Sequence, residues 1–261
     1  MAVEGPALIT GAGVRLGAAV ALELAGRGHD VAIHYHRSSA AAETTAAQAR
    51  ALGVRAVTLS ADLLDLDQVE ALVGRATEQL GPLAILVNNA SIFERDTVHN
   101  ATRDSWDRHI GSNLRAPFML TQRFAAELPP QSPSDGAETE AQALVVNMVD
   151  QRVLKPTPEY MTYSLAKAGL WALTRTLAQA LAPRVRVNAI APGPTLRGAR
   201  QSDEHFARQR ASTILERGAN PEDVTAALAF LLNSPAVTGQ LICVDGGQHL
   251  GWRTPDIIDS H

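Results

Sequence analysis

Short apolar runs alternate with longer segments of mixed polarity along most of the chain. The apolar runs predict strands at residues 6–10, 30–35, 54–60, 83–89, 143–149, 184–190 and 240–245. The segments between them repeat their apolar residues at the helical period, which predicts helices at about 15–27, 39–52, 66–80, 102–127, 161–182 and 221–233. Nearly continuous apolar strands separated by helices are typical of a parallel sheet covered on both faces. The pattern therefore predicts an α/β fold that binds ligands beyond the carboxyl ends of its strands.

Two segments interrupt this alternation. Residues 129–142 are rich in proline, serine and acidic residues, which predicts an exposed loop between a helix and a strand. Residues 193–220 are polar, arginine-rich and weakly helical, which predicts a lid over a substrate site. Arg197 and Arg200 in this lid have two interpretations, contact with an anionic substrate tail or a solvated polar surface.

Composition narrows the class of protein. A chain of 261 residues with 46% hydrophobic residues is long enough for one α/β domain, which we place at 1–261. A net charge of -4 without a run of Lys or Arg predicts no nucleic-acid partner. The single cysteine excludes an internal disulfide framework. The sequence has neither a signal-peptide pattern nor a membrane-length apolar stretch, so we expect a cytoplasmic protein without a membrane partner.

A glycine-rich stretch, TGAGVRLG at residues 10–17, follows the first predicted strand. A strand, a glycine turn and a helix beginning near Arg15 would aim backbone N–H groups at a pyrophosphate. The spacing differs from the usual dinucleotide fingerprint, because the third glycine falls at Gly17. A plain tight turn is the alternative interpretation.

The end of the second strand indicates which dinucleotide would bind. A protein that binds NAD usually has a carboxylate here for the ribose 2′-hydroxyl. This chain has His36, Arg37 and Ser38 instead, and a guanidinium can bind a 2′-phosphate through two hydrogen bonds. We expect Arg15 to reach the same adenosine end and to complete a phosphate clamp. The sequence therefore predicts NADPH as the cofactor.

His34 and His36 lie on one face of the second strand and raise the question of a metal site. No obvious third ligand accompanies them. We therefore expect histidines with structural hydrogen bonds and no metal.

The segment YSLAK at residues 163–167 supplies candidate chemistry. Tyr163 and Lys167 are four residues apart, on one face of a predicted helix. The chain has only one other lysine, Lys155, so the pairing is unusual for this composition. We expect the ammonium to lower the pKa of the phenol and make Tyr163 an acid–base group. The alternative is that Tyr163 and Lys167 simply lie on an exposed face of the helix.

Over nearly its whole length the chain resembles the short-chain dehydrogenase/reductase family. The resemblance rests on TGAGVRLG (10–17), ADL (61–63), NNAS (88–91), SNLRAPF (112–118), YSLAK (163–167), RVNAIAPG (186–193) and VDGG (244–247), which occur in the family's order. It implies a single Rossmann-type, doubly wound domain with a seven-stranded parallel sheet flanked by helices, often assembled as a homotetramer. It also implies that Asn113 holds a proton-relay water beside Lys167.

The same resemblance implies a set of cofactor contacts. In this sequence they fall on Gly11, Val14, Arg15, Leu16, Gly17, His36, Arg37, Ser38, Asp62, Leu63, Asn89, Ala90, Ser91, Met148, Tyr163, Lys167, Pro192, Gly193 and Thr195.

One position departs from the family pattern. Most members have a serine thirteen residues before the catalytic tyrosine, and this chain has Asp150. A carboxylate is unfavourable beside a carbonyl oxygen that develops negative charge, but it suits a substrate with ring N–H groups or a nitrogen that takes a proton. A damaged site and a simple turn cap are the alternatives for Asp150.

Within the family, the chain is similar to pteridine reductases and dihydromonapterin/dihydrofolate reductases. The residues that carry this similarity are Arg15, HYHRS (34–38), NNASIF (88–93), GSN (111–113), NMVD (147–150) and YSLAK. It implies hydride transfer from NADPH to C6 of a 7,8-dihydropterin, with a proton delivered to N5 by Tyr163 and Asp150. Phe93 would stack on the pterin unless it belongs to the core, and Arg15 and Ser91 would approach the pterin or the cofactor phosphates.

Two other functions stay open. The chain could reduce a carbonyl, as a 3-oxoacyl-thioester reductase does, with Asp150 in place of serine. It could also be an NADP-binding regulator without turnover, although the Tyr163, Lys167 and Asn113 set argues against this. Near the end of the chain, Trp252 and Arg253 could reach a neighbouring subunit's site in a tetramer.

Overall fold

A computed structural model describes residues 3–130, 140–198 and 201–252 of the chain. Seven parallel strands form one sheet in the order β3-β2-β1-β4-β5-β6-β7. They are β1 Ala7–Ile9, β2 Val31–Tyr35, β3 Ala56–Ser60, β4 Ile85–Asn88, β5 Ala143–Met148, β6 Val185–Pro192 and β7 Leu241–Val244. The strand order reverses direction between β1 and β4, as in a doubly wound Rossmann-type fold. The predicted α/β class and the seven-stranded parallel sheet are therefore confirmed.

Helices cover both faces of the sheet. They are α1 Arg15–Gly26, α2 Ser39–Ala51, α3 Leu66–Leu80, α4 Arg103–Ile110, α5 Ala116–Glu127, α6 Met161–Leu181, α7 Asp203–Ala211 and α8 Pro221–Asn233. One core cluster joins the sheet to α1, α2 and α8, and another joins it to α3, α5 and α6. Along β5, Leu144 and Val146 enter the first cluster, whereas Ala143 and Val145 enter the second. This alternation explains why the strands read as continuous apolar runs.

The predicted helix at 102–127 is divided into three parts. Helix α4 begins at a capping box between Thr102 and Ser105, and a π-helical segment, Gly111–Arg115, separates it from α5. Pro117, near the start of α5, has no N–H to donate to the carbonyl of Asn113 four residues earlier. Short π-helical segments within helices are frequent at functional sites, and this one contains Asn113.

The predicted lid contains a regular helix, since α7 lies within 193–220 and begins after a Ser202 cap. Of the predicted loop at 129–142, residues 131–139 lie outside the described part of the chain. Arg200 and Arg253 lie outside it as well. No helix in the described residues is both long and apolar enough to span a bilayer.

Candidate active site

Gly11 and Gly17 make the loop after β1 closely packed. Gly11 has a φ of +63°, and a Cβ there would lie 2.9 Å from the Cα of Ala90. A Cβ on Gly17 would lie 2.2 Å from the carbonyl oxygen of Gly11. Both positions therefore require glycine, and the loop leaves its backbone accessible to a ligand at the start of α1.

Hydrogen bonds from the end of β4 fix this loop. The Asn89 side-chain amide donates to the carbonyls of Thr10 and Gly11 at 2.8 and 3.1 Å. In return, the Thr10 hydroxyl accepts from the backbone N–H groups of Asn89 and Ala90, both at 2.9 Å. Asn89 and Ala90 thus shape the floor of the cleft at the point where the strand order reverses.

His34 fixes the other side of the glycine loop. Its Nδ1 accepts from the Gly11 N–H at 3.0 Å, so the proton is on Nε2, which donates to the Ala61 carbonyl at 3.0 Å. Burial lowers the pKa of His34 to about 4, which keeps the ring neutral near pH 7. This agrees with the structural interpretation of His34. The described residues hold no cluster of three His, Cys, Asp or Glu side chains suited to a metal.

Two adjoining cavities lie along the carboxyl ends of the strands, as the fold predicts for a dinucleotide. The first, of about 410 Å³, is lined by Gly11, Val14, Arg15, Leu16, Gly17, His34, His36, Leu63, Asn89, Ala90, Ser91, Ile92 and Ser112. The second, of about 360 Å³, is lined by Gly11, Gly13, Val14, Tyr35, His36, Arg37, Ser38, Asp62, Leu64, Ile92 and Arg108.

The second cavity brings His36, Arg37 and Ser38 together but differs from the expectation in one respect. The sequence places no carboxylate beside these residues, yet Asp62 enters the cavity from the end of β3. Its Oδ2 lies 3.6 Å from Nε2 of His36. Parallel pairing of β2 and β3 causes this approach, because it aligns the two strand ends.

Arg15 does not line the second cavity, so the structure does not place it in a clamp with Arg37. Its guanidinium donates instead to the carbonyls of Leu196 and Arg197 in the lid, at 3.1 and 2.8 Å. The left-handed backbone at Arg15, with a φ of +56°, accompanies this direction of the side chain. Arg15 therefore stands between the first cavity and the substrate cavity described below, both of which it lines.

The candidate reacting groups meet where β5 ends and α6 begins. The Tyr163 hydroxyl donates to Oδ2 of Asp150 at 2.9 Å, and Lys167 Nζ donates to the Met148 carbonyl at 2.7 Å. Lys167 Nζ also lies 5.8 Å from the centre of the Tyr163 ring. The three groups predicted from sequence are thus assembled, and Asp150 is more than the turn cap of the alternative interpretation.

The expected acidity of Tyr163 is wrong for this arrangement. Burial and the Asp150 carboxylate raise the pKa of Tyr163 well above its ordinary value of 10. Burial also lowers the pKa of Lys167 to about 8, with Asp150 opposing this decrease. The spacing of Tyr163 and Lys167 points to the effect of the ammonium alone. The Asp150 carboxylate lies closer to the phenol and acts in the opposite direction. Tyr163 is therefore held in its protonated form at neutral pH.

Asn113 has a structural role in addition to its predicted one. Its side chain accepts from the Ile92 N–H at 2.9 Å and donates to the Ile92 carbonyl at 2.8 Å. Each end of the amide thus bonds the Ile92 backbone, which connects Asn113 to the segment after β4. The relay water beside Lys167 stays a prediction.

Phe93 lies in the site and not in the core, because 48% of its surface is exposed. It stacks parallel to Tyr160 with a centroid distance of 4.3 Å and meets the Tyr163 ring edge-on at 4.7 Å. The core interpretation of Phe93 is therefore wrong.

A third cavity, of about 280 Å³, opens beside Tyr163 and is the candidate substrate cavity. Its lining includes Arg15, Phe93, Asp150, Gln151, Arg152, Tyr163, Pro192, Gly193, Thr195, Leu196, Gln201, Phe206, Gln209 and Gln248. One wall is lined by residues of the segment 193–220, among them Leu196, Gln201, Phe206 and Gln209. Trp252 is exposed and does not line this cavity.

Sequence reasoning missed Arg152 and Tyr160. The Arg152 guanidinium carbon lies 5.6 Å from the centre of the Phe93 ring and 5.2 Å from that of Tyr160. Tyr160 has a φ of +55°, a conformation uncommon for a bulky residue and often found near functional sites. Arg152 lies close to Asp150 in the sequence and Tyr160 lies close to Tyr163, and this nearness could have identified both as site residues.

A buried hydrogen-bond chain supports the start of α6 and was also missed. The His109 Nε2 accepts from the Glu94 N–H at 3.2 Å, so its Nδ1 donates to the Thr162 hydroxyl at 2.7 Å. That hydroxyl donates in turn to a carboxylate oxygen of Asp96. Burial alone would raise the pKa of Asp96, but the hydrogen bonds from Thr162 hold it below its ordinary value. Burial lowers the pKa of His109.

Comparisons with known proteins agree with this geometry. A family model described as Enoyl-(Acyl carrier protein) reductase matches residues 11–249. The 3-oxoacyl-[acyl-carrier-protein] reductase FabG of Staphylococcus aureus is 32% identical over 249 residues, which cover 94% of this chain and 98% of the relative. The probable galactose dehydrogenase GalD of Rhizobium meliloti is 33% identical, with 92% and 93% covered.

Solved structures of similar proteins also match this chain over most of its length. FolM alternative dihydrofolate reductase 1 from Brucella suis, crystallised with NADP, matches with a TM-score of 0.90 and 42% identity, over 98% of this chain and 99% of that one. A short chain dehydrogenase from Burkholderia cenocepacia, also with NADP, matches with a TM-score of 0.84 and 32% identity, over 94% and 97%. This chain therefore belongs to the short-chain dehydrogenase/reductase family of oxidoreductases.

Proposed function

We propose that this chain is an NADPH-dependent reductase that converts a dihydropterin or dihydrofolate to its tetrahydro form. The observation that carries the proposal is the 2.9 Å hydrogen bond from Tyr163 to Asp150, at the wall of a cavity that also exposes Phe93. The 42% identical FolM protein from Brucella suis, described as an alternative dihydrofolate reductase, supports it.

The residues of the cleft fit NADP. Gly11 and Gly17 line a cavity at the start of α1, where backbone N–H groups favour a pyrophosphate. His36, Arg37 and Ser38 line the cavity expected to hold a 2′-phosphate. Pro192, Gly193 and Thr195 lie beside Tyr163, where a nicotinamide would supply the hydride.

Tyr163 is suited to donate the proton. Its raised pKa keeps the phenol protonated at neutral pH, and the Lys167 ammonium, with a pKa of about 8, favours the phenolate that donation leaves behind. In the reaction, the Tyr163 hydroxyl would turn from Asp150 to N5 of the substrate. One hydride at C6 and one proton at N5 complete the reduction of the C6–N5 double bond.

Asp150 selects nitrogen over oxygen as the atom that is protonated. A ketone passes through a developing alkoxide, which the carboxylate would repel in a half-buried cavity. A protonated ring nitrogen carries no such negative charge. Phe93 offers an exposed aromatic face on which a planar ring stacks favourably.

Reduction of a 3-oxoacyl thioester is the second candidate. It is favoured by the S. aureus relative, whose name specifies 3-oxoacyl-[acyl-carrier-protein]. The carboxylate at Asp150 opposes this candidate for the reason given above. The homotetramer and the cytoplasmic location stay predictions.

A substrate panel tests the proposal. Oxidation of NADPH would be followed with 7,8-dihydrobiopterin, dihydromonapterin, dihydrofolate and acetoacetyl thioester, with NADH in parallel. We expect turnover of at least one pterin or folate with NADPH, and slower turnover with NADH. Turnover of the thioester alone would refute the proposal.

A further inference from the structure

Arg152 forms two further hydrogen bonds with the Asp150 carboxylate. Its backbone N–H donates to Oδ1 at 2.8 Å and its Nη1 donates to Oδ2 at 3.2 Å. Both side chains are mostly buried, with 19% and 16% of their surfaces exposed. The short helical turn Gln151–Val153, which Asp150 caps, fixes the two residues relative to each other.

Aromatic rings fix the other side of the guanidinium. Its carbon lies within 6 Å of the ring centres of Phe93 and Tyr160, a distance typical of a cation–π contact. Arg152 is therefore held between a carboxylate and two stacked rings, and its planar fork loses little further freedom when it binds a ligand.

Some polar atoms of this turn have no hydrogen-bond partner among the described residues. Nε of Arg152 and Oε1 of Gln151 are buried without a hydrogen-bond partner in the described residues. Nη2 of Arg152 also has no hydrogen-bond partner within the described part of the chain, and Arg152 lines the substrate cavity. Groups of this kind are uncommon in proteins and call for a ligand or water.

The placement of Nη2 next to the Tyr163–Asp150 pair defines what it can recognise. Nη1 and the Tyr163 hydroxyl both donate to the same oxygen of Asp150. A substrate atom that takes the Tyr163 proton would therefore lie close to the guanidinium. In a 7,8-dihydropterin, the C4 carbonyl oxygen lies directly beside N5 and could accept from Nη2.

We propose that Arg152 is a specificity-determining residue that donates a hydrogen bond to a carbonyl oxygen beside the ring nitrogen that Tyr163 protonates. The inference rests on the proposed function and deepens it, because it assigns recognition of the 4-oxo group of the pterin ring to one residue. A 4-amino pteridine would turn N–H donors toward the guanidinium, and two donors facing each other repel.

Binding to the enzyme–NADP+ complex tests the inference without turnover. Calorimetry would compare 6-methylpterin with 2,4-diamino-6-methylpteridine on the wild-type protein and on Arg152→Met and Arg152→Lys. A hydrogen bond to a charged group contributes about 1.5–3 kcal/mol, so we expect a wild-type preference of roughly 10- to 150-fold for the 4-oxo ring. Arg152→Met should reduce it to about threefold or less, and Arg152→Lys should lie between.

Arg175→Met is the matched control, because Arg175 also lies over an aromatic ring, that of Trp171, but does not line the cavity. It should keep the full preference. The lysine variant keeps a charge beside Asp150, so it tests the inference even where Arg152→Met does not fold. Equal binding of the two rings to the wild-type protein, or a preference that survives in both Arg152 variants, would overturn the inference alone. Failure of the wild-type complex to bind either ring would overturn the proposed function with it.

Discussion

Tyr163 donates its hydroxyl hydrogen to Oδ2 of Asp150, thirteen residues earlier in the chain, at a distance of 2.9 Å. This bond joins α6 to the segment that follows β5. Because the carboxylate raises the pKa of the phenol, the resting site contains a protonated Tyr163 close to a charged Lys167. The site is therefore prepared to give a proton, as a reductase requires.

Lys167 predicts a dependence of stability on pH. Its pKa is about 8 in the folded protein against 10.5 ordinarily, so between these values the unfolded chain binds a proton that the folded chain does not. The free energy of unfolding should therefore rise as the pH increases through this window, by up to about 3 kcal/mol. In Lys167→Met this contribution is lost, which urea unfolding between pH 7.5 and 9.5 would measure.

Lys155→Met is the control for this prediction, since the Lys155 ammonium is exposed and donates to the carbonyl of Gly251. It should keep the wild-type slope. A Lys167→Met protein with an unchanged slope would show that the ammonium is not desolvated as described.

Arg15 predicts a stability difference between two variants. At a φ of +56°, alanine has a steric cost of about 1–2 kcal/mol that glycine avoids. We expect Arg15→Gly to be more stable than Arg15→Ala by about 1 kcal/mol in urea unfolding. Both should raise KM for the pterin similarly, because both lose the hydrogen bonds to Leu196 and Arg197. An alanine variant at least as stable as the glycine variant would contradict the strained backbone.

The position of Thr162 in the buried hydrogen-bond chain from His109 to Asp96 predicts that this chain affects catalysis. Thr162→Val leaves His109 and Asp96 without their shared partner, which should cost about 2–3 kcal/mol of stability. We expect kcat to fall because the start of α6 carries Tyr163, whereas the Kd for NADPH should change little. Thr162→Ser keeps the hydroxyl and should behave as the wild type. Equal loss of kcat in both variants would show that the hydroxyl is not what couples these hydrogen bonds to catalysis.

The sequence predicted those features that local spacing determines. The glycines of the loop, the alternation of strands and helices and the Tyr163–Lys167 pair all follow from residues close together in the chain. The division of the predicted helix at 102–127 also has a local signal, because Pro117 cannot donate a backbone hydrogen bond.

Features that depend on distant contacts were missed. Arg15 contacts a carbonyl 181 residues away, so its direction cannot be derived from the loop alone. The pKa of Tyr163 depends on burial and on a carboxylate from another element. The Phe93–Tyr160 stack likewise joins the segment after β4 to the segment before α6.

Asp150→Ser tests the central claim most directly, because it replaces the carboxylate with the hydroxyl that most family members have. The measurement is the ratio of kcat/KM for 7,8-dihydrobiopterin to that for acetoacetyl thioester, with the Kd for NADPH as a control. We predict that the ratio falls at least 100-fold, as expected for loss of an acid–base contribution, while the Kd for NADPH stays within about threefold. An unchanged ratio, or an NADPH affinity that collapses together with activity, would contradict the role assigned to Asp150.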